Sequence, residues 1–344
     1  MSQAFLRRGL SVAAIAAAAI LASCSTPEPE APPPPPVVAP LPPVSLNQGV
    51  AEAASIYVAY VRQVGSIKAG FPDAEAIQAA VRTGSASDPV QLSRGMIAYG
   101  SILALQSPEY VAGVRQFAST PALRQQMIAS IVADPAYAAT LPGADAAAGL
   151  IASTMGKDIE ALTAIAEAVE ADAYTIQERR DPRRRWAVSP VAHRDTRLQS
   201  AKTLSVPQLP SAEDSARLFA AANSGTGLGL TPAQRSAPFT PAMVNSLAIA
   251  ALAALGAAGD EAKTNTDALT TESNNEFCTN MSKLMLFQCL AASRPSYEDM
   301  FCAGRHIVRD LATCTAQYTG PMPTPATPVV SIAASTPTPG SGMN

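Results

Sequence analysis

Apolar residues recur at helical spacing through most of the chain, and Ser, Thr or Asp followed by Pro repeatedly marks where a helix begins. The side-chain oxygen caps free amides of the first turn, and the proline pre-sets φ at the first helical position. Such junctions occur at Asp88-Pro89, Ser107-Pro108, Thr120-Pro121, Asp134-Pro135, Thr231-Pro232 and Thr240-Pro241. Met96, Ile97, Ile102, Leu103 and Leu105 show the periodicity that follows. The pattern predicts helices over residues 46–65, 73–83, 89–105, 108–118, 121–133 and 144–178, the last uninterrupted by proline. Another spans 276–292. After the turn Ser293-Arg294-Pro295-Ser296, the spacing Ser296-x-x-Asp299 predicts a capped helix over 297–315. The spacings between starts are irregular, which argues against a solenoid repeat.

Composition supports an all-α fold. The chain is 48% hydrophobic but only 5% aromatic, so alanine and small aliphatic residues must fill the core. That favours closely packed helices over a β-sandwich. Met243 to Leu255 is the most apolar of these stretches, yet it is too short to span a bilayer and is interrupted by Asn245 and Ser246. A net charge of −3 implies no strongly charged partner.

Two regions break the helical pattern. Ser25 to Val44 is mostly proline, including Pro32 to Pro36, and residues 320–344 are rich in Pro, Thr and Ser. Proline fixes φ and removes an amide donor, so both are expected to be disordered, the first as an extended spacer. From Arg179 to Arg197, seven arginines stand against two aspartates. This basic stretch, with the prolines that follow it, predicts a linker over 179–210 between helical domains at 45–178 and 211–319. Arg179, Arg180, Arg183, Arg184, Arg185 and Trp186 are its candidate anion-binding residues, because guanidinium groups pair bidentately with phosphate and carboxylate. A solvated basic loop lying against acidic helices is the structural alternative.

The N-terminus reads as an export signal over residues 1–23. Arg7 and Arg8 precede a short apolar run, Leu10 to Ala22, and Leu21-Ala22-Ser23-Cys24 follows. This run resembles the lipobox of bacterial lipoproteins. The resemblance implies cleavage before Cys24, lipidation of Cys24 and membrane attachment through the lipid. Ser25, where Asp would favour the inner membrane, implies the outer membrane.

Export implies an oxidising compartment, so Cys278, Cys289, Cys302 and Cys314 are expected to form disulfides. Residues 11 apart on one helix lie about 16 Å apart, too far for a bridge that needs Cα atoms within about 7 Å. Cys278–Cys314 and Cys289–Cys302 instead share a midpoint near Pro295-Ser296, as opposed residues of a helical hairpin do. The arrangement resembles twin-cysteine hairpins in geometry, with different spacers. One difficulty remains. Cys302 and Cys314, twelve residues apart, would stand about 120° apart around an ideal helix, so the hairpin must twist or its helix distort.

Little points to chemistry. His306 and Asp310 are at i and i+4, but no nucleophile motif accompanies them. Gly225-Thr226-Gly227-Leu228-Gly229 lacks the preceding strand and Gly-Lys-Ser/Thr of a phosphate loop. Glu272-Ser273 resembles the catalytic dipeptide of lytic transglycosylases without their supporting motifs. No cofactor or metal site is expected, and export excludes nucleic acid as a partner. The sequence thus predicts a non-catalytic, lipid-anchored envelope protein, an irregular multi-helix array with a disulfide-stapled C-terminal hairpin. Its expected role is as a scaffold or binder of an envelope protein. An envelope glycan hydrolase and a carrier of an apolar ligand are the alternatives.

Overall fold

A computed structural model describes residues 41–179 and 182–320. The signal region, Cys24, most of the proline spacer, Arg180 and residues 321–344 lie outside the described residues. The described part is all-α. Its first five helices are α1 (Gln48–Val64), α2 (Ala74–Ser85), α3 (Pro89–Leu105), α4 (Pro108–Arg115) and α5 (Pro121–Ala133), followed by a 3-10 segment, Pro135–Thr140. The long α6 (Ala144–Glu178) and the short α7 (Arg185–Val188) precede α8 (Arg194–Leu204), α9 (Ala212–Ser224), α10 (Pro241–Ala254) and α11 (Thr264–Asp267). The chain then forms α12 (Ser273–Ala292), α13 (Ser296–Ala303), a π segment (Gly304–Arg309) and α14 (Asp310–Thr319).

The capping logic holds at most starts. Asp88, Ser107, Thr120 and Thr240 each accept a hydrogen bond from an amide in the first turn, with proline at the first position. Thr231-Pro232 is the exception and opens no helix. Pro238 follows within six residues and would remove an amide from any helix begun there. The connection instead presses its backbone on α6. A Cβ at Gly149 would stand 2.1 Å from the Ala233 carbonyl oxygen.

α10 is buried almost all round, as expected of a helix apolar on every face. α3 packs beside it and α1 packs against α3, and glycines set how closely. A Cβ at Gly95 of α3 would lie 2.7 Å from the Ala53 carbonyl oxygen on α1. Gly100 faces a buried polar node. The Tyr318 hydroxyl of α14 lies 2.7 Å from the Ser246 hydroxyl of α10, which donates to the Ile97 carbonyl at 2.8 Å.

The boundaries expected from composition need two corrections. First, helices on either side of residues 179–210 share one core, which runs from Leu46 through Val169 to Leu247 and Tyr318. The basic stretch marks a change of charge but not a gap in packing, since Ala187, Val191, Arg197 and Ala201 within it are buried. Second, the end of the proline-rich segment belongs to the folded body. Arg115 donates to the Pro42 carbonyl at 2.8 Å, and the Ser45 amide donates to the Ala253 carbonyl at 3.0 Å.

The hairpin carries both expected disulfides, Cys278–Cys314 and Cys289–Cys302, each with a Cα separation of 5.7 Å. The π segment removes the 120° difficulty. Each α-helical residue advances about 100°, so Cys278 and Cys289, eleven apart, fall within about 20° of each other on α12. A π bulge takes up about one extra residue, and hence about 100°. That brings Cys302 and Cys314 to within about 20° as well, and the two faces match. The Ser296-x-x-Asp299 box does not form. Pro295 holds the N-cap position, and Asp299 turns inward to an arginine of α8.

Replacing Gly100 by Ala should lower stability by about 1–3 kcal/mol in urea unfolding, because a Cβ there would stand 1.8 Å from the Tyr318 hydroxyl. In a Tyr318→Phe background, which itself costs about 1 kcal/mol, the same substitution should cost less.

Candidate interaction surface

The outward face of α12 is apolar and carries no charge. Phe277 is 65% exposed, Leu284 47%, and Met281 and Met285 38% each. Their spacing, i, i+4, i+7 and i+8, places them on one stripe. Ser273, Asn274, Asn280, Gln288, Ala291 and Ala292 complete the exposed face. The two charged residues of this 20-residue helix turn toward the body. Glu276 faces Arg94 of α3 at 3.9 Å. Lys283 donates to the Ser85 carbonyl at 3.1 Å and lies 2.8 Å from the Ser87 hydroxyl, and burial pushes its ammonium down to about 8.

The buried face in the N-terminal half of α12 is polar. Asn275 and Thr279 are buried, and the Asn275 side-chain amide donates to the Ser93 carbonyl and hydroxyl of α3 at 3.1 and 3.0 Å. Phe277 and Met281, two residues further along in each case, are left outside. That inverts the ordinary preference for burying the larger apolar side chain. Farther along, Leu286 and Leu290 are buried normally.

A groove of about 310 Å³ runs along this face. Phe277, Met281 and Met285 form one wall, and Thr313 and Gln317 of α14 line the other side. The Cys278–Cys314 bridge lies within it. His306 and Asp310 stand at its edge with Nδ1 and Oδ2 3.0 Å apart, and the nearby Ser282 hydroxyl donates to the His306 backbone carbonyl at 3.2 Å rather than to the imidazole.

The basic stretch has a different role from the one its charge suggests. Arg194 donates to the carbonyls of Ala291 and Ser293, and Arg197 to the Leu290 carbonyl and the Ser293 hydroxyl. These oxygens include the free carbonyls that every helix leaves at its C-terminus, where cations are favoured. Arg197 also pairs with Asp299 of α13 at 2.9 Å, both side chains almost wholly buried. Burial pushes the Asp299 carboxyl up and the Arg197 guanidinium down. Arg184 is taken up by Asp172 of α6 at 2.9 Å. Trp186 packs against the core rather than projecting from it. Arg179 and Arg185 are exposed, as is Arg183, which has interactions of its own. Of the described candidate anion-binding residues, Arg184 and Trp186 are therefore engaged within the body.

Glu272 accepts hydrogen bonds from the amides of Asn274 and Asn275 at 3.0 and 2.8 Å, so its carboxylate caps α12. Gly225–Gly229 connects α9 to the segment before α10 and, with Ala146 and Leu150, lines a cleft of about 670 Å³. Among the described residues no cluster of three or more His, Cys, Asp or Glu could hold a metal ion, and no helix is long and apolar enough to cross a membrane.

Arg197→Ala should cost about 3–5 kcal/mol in chemical denaturation, since it leaves Asp299 buried without its counter-ion. Arg185→Ala, at an exposed site, should stay within about 0.5 kcal/mol of the parent. Equal losses for the two would contradict the structural assignment of the basic stretch.

Set beside known proteins, the chain matches no protein-family model, no curated protein and no solved structure.

Proposed function

We propose that this chain is a non-catalytic, lipid-anchored protein of the bacterial cell envelope that binds another envelope protein through α12. The inverted burial of α12 carries this reading. Phe277 and Met281 stand in water while Asn275 and Thr279 are inside. Burying one large apolar side chain stabilises by about 1.5–3 kcal/mol, so leaving two exposed forgoes a sizeable fraction of a domain's net stability. A partner that covers the stripe recovers that energy as affinity. An apolar stripe with Arg305 and Asp310 on the far side of the groove suits an amphipathic helix laid along it, and methionine adapts its shape to such partners.

The anchor follows from the lipobox at Leu21 to Cys24, with Ser25 favouring the outer membrane. The fixed position of Pro42 on the body then defines where the proline-rich segment leaves it. A hydrolase acting through Glu272 receives no support from the geometry, because that carboxylate is spent on two backbone amides.

The test is site-specific photocrosslinking in cells from Met281, with the exposed Gln199 of α8 as control. One discrete protein adduct should form from Met281 alone. Leu284→Glu should reduce it about tenfold or more while leaving the unfolding midpoint unchanged, and Arg185→Glu should leave it intact. Equal adducts from both positions, or insensitivity to Leu284→Glu, would refute the docking face.

A further inference from the structure

A second site lies away from α12, where α1, α3 and α6 meet. A cleft of about 380 Å³ is walled there by Val58, Val61, Leu162 and Ile165. Two tyrosines line it, Tyr57 and Tyr99, with ring centroids 6.0 Å apart and planes tilted by 41°. One carboxylate, Asp158 of α6, shares the cleft.

The polar atoms at this place are unusually idle. Tyr57 is engaged with Thr315, its hydroxyl 3.1 Å from that of the threonine. Asp158 accepts no hydrogen bond among the described residues, and the Tyr99 hydroxyl makes none. Asp158 is half-buried, so the cleft walls desolvate its carboxylate in part while its oxygens stay open to the cleft. Burial raises the Asp158 carboxyl above its ordinary range, and its charge in turn opposes ionisation of both tyrosines.

Arg62, which lines the same cleft, does not supply the missing charge. It donates two hydrogen bonds of 3.1 Å to Asp214 of α9, and Arg217 reaches the same carboxylate at 3.3 Å. Glu213 adds another negative charge beside Arg62. Arg62 and Arg217 are thus both engaged by Asp214, and Asp158 is the one carboxylate that lines the cleft with the tyrosines.

We propose that this cleft binds a small organic ammonium ion, with Asp158 as counter-ion and the ring of Tyr99 against the cationic head. Aromatic faces attract ammonium groups, most strongly when both are desolvated. The aliphatic walls take the apolar part of the ligand, and the volume lies within the range of small-molecule sites. The site shares no residue with the α12 face, so either can be right without the other.

Isothermal titration of the purified chain with choline tests the site against 3,3-dimethylbutan-1-ol, the uncharged molecule of the same shape. Choline should bind, and the neutral isostere at least tenfold more weakly. Asp158→Asn should weaken choline at least tenfold. Tyr99→Phe, which keeps the ring, should bind nearly as the parent does, whereas Tyr99→Leu should lose several-fold. Equal binding of choline and the isostere would overturn the proposal, as would an unchanged affinity in Asp158→Asn or no binding of choline at about 10 mM, below which even weak sites are occupied. The comparison of the two probes is made on the unsubstituted chain and stands even if a variant fails to fold.

Discussion

The rotation of α12 about its own axis is the constraint on which most of this structure depends. Two disulfides set it. Cys278 and Cys289 project from one line of the helix, and each is tied to the returning arm at a Cα separation of 5.7 Å. Left to the hydrophobic effect, α12 would turn to bury Phe277 and Met281, worth about 3–6 kcal/mol together. Bridges closing loops of 13 and 36 residues stabilise by about 3 and 4 kcal/mol on the loop-entropy model. More directly, α12 cannot rotate while both bonds are intact. The covalent frame holds outward a face that packing alone would pull in.

Other features accommodate that setting. The π segment Gly304–Arg309 adjusts the phase of the second arm so that Cys302 and Cys314 meet their partners. Gly304 lets this segment lie against α6, where a Cβ would stand 2.9 Å from Val169. Asn275, which the rotation buries, finds Ser93 on α3. At the other end, Arg194 and Arg197 close the carbonyls that α12 exposes. α8 is thereby a clamp on the hairpin, which explains how Arg197, at the end of a strongly basic stretch, comes to be buried.

Much of this was legible in the residues. Asp88-Pro89, Ser107-Pro108, Thr120-Pro121 and Thr240-Pro241 mark helix starts because capping and a fixed φ act within four residues. The disulfide pairing could be read for a related reason, since a hairpin with a short turn converts sequence distance into spatial opposition. Thr231-Pro232 misled because the same local signal is cancelled by Pro238. As a linker between domains the basic stretch misled, because charge reports solvation only when nothing pairs with it, and the pairing groups of Arg197 lie 93 to 102 residues away at Leu290, Ser293 and Asp299. The α12 stripe was not legible in the sequence, because both faces of the helix carry large apolar residues and spacing alone does not say which one water sees.

By itself, then, the sequence determined the helical class, the starts of most helices and the pairing of four cysteines, all of which follow from interactions between near neighbours or from the symmetry of a short turn. Only the tertiary structure decided which side of α12 faces out, that the two helical halves share one core, and that Asp158 and the tyrosines of α1 and α3 meet in one cleft. Those outcomes rest on encounters such as Tyr57 with Tyr99 and Asn275 with Ser93, the latter 182 positions apart, which packing of the whole chain governs rather than any local preference.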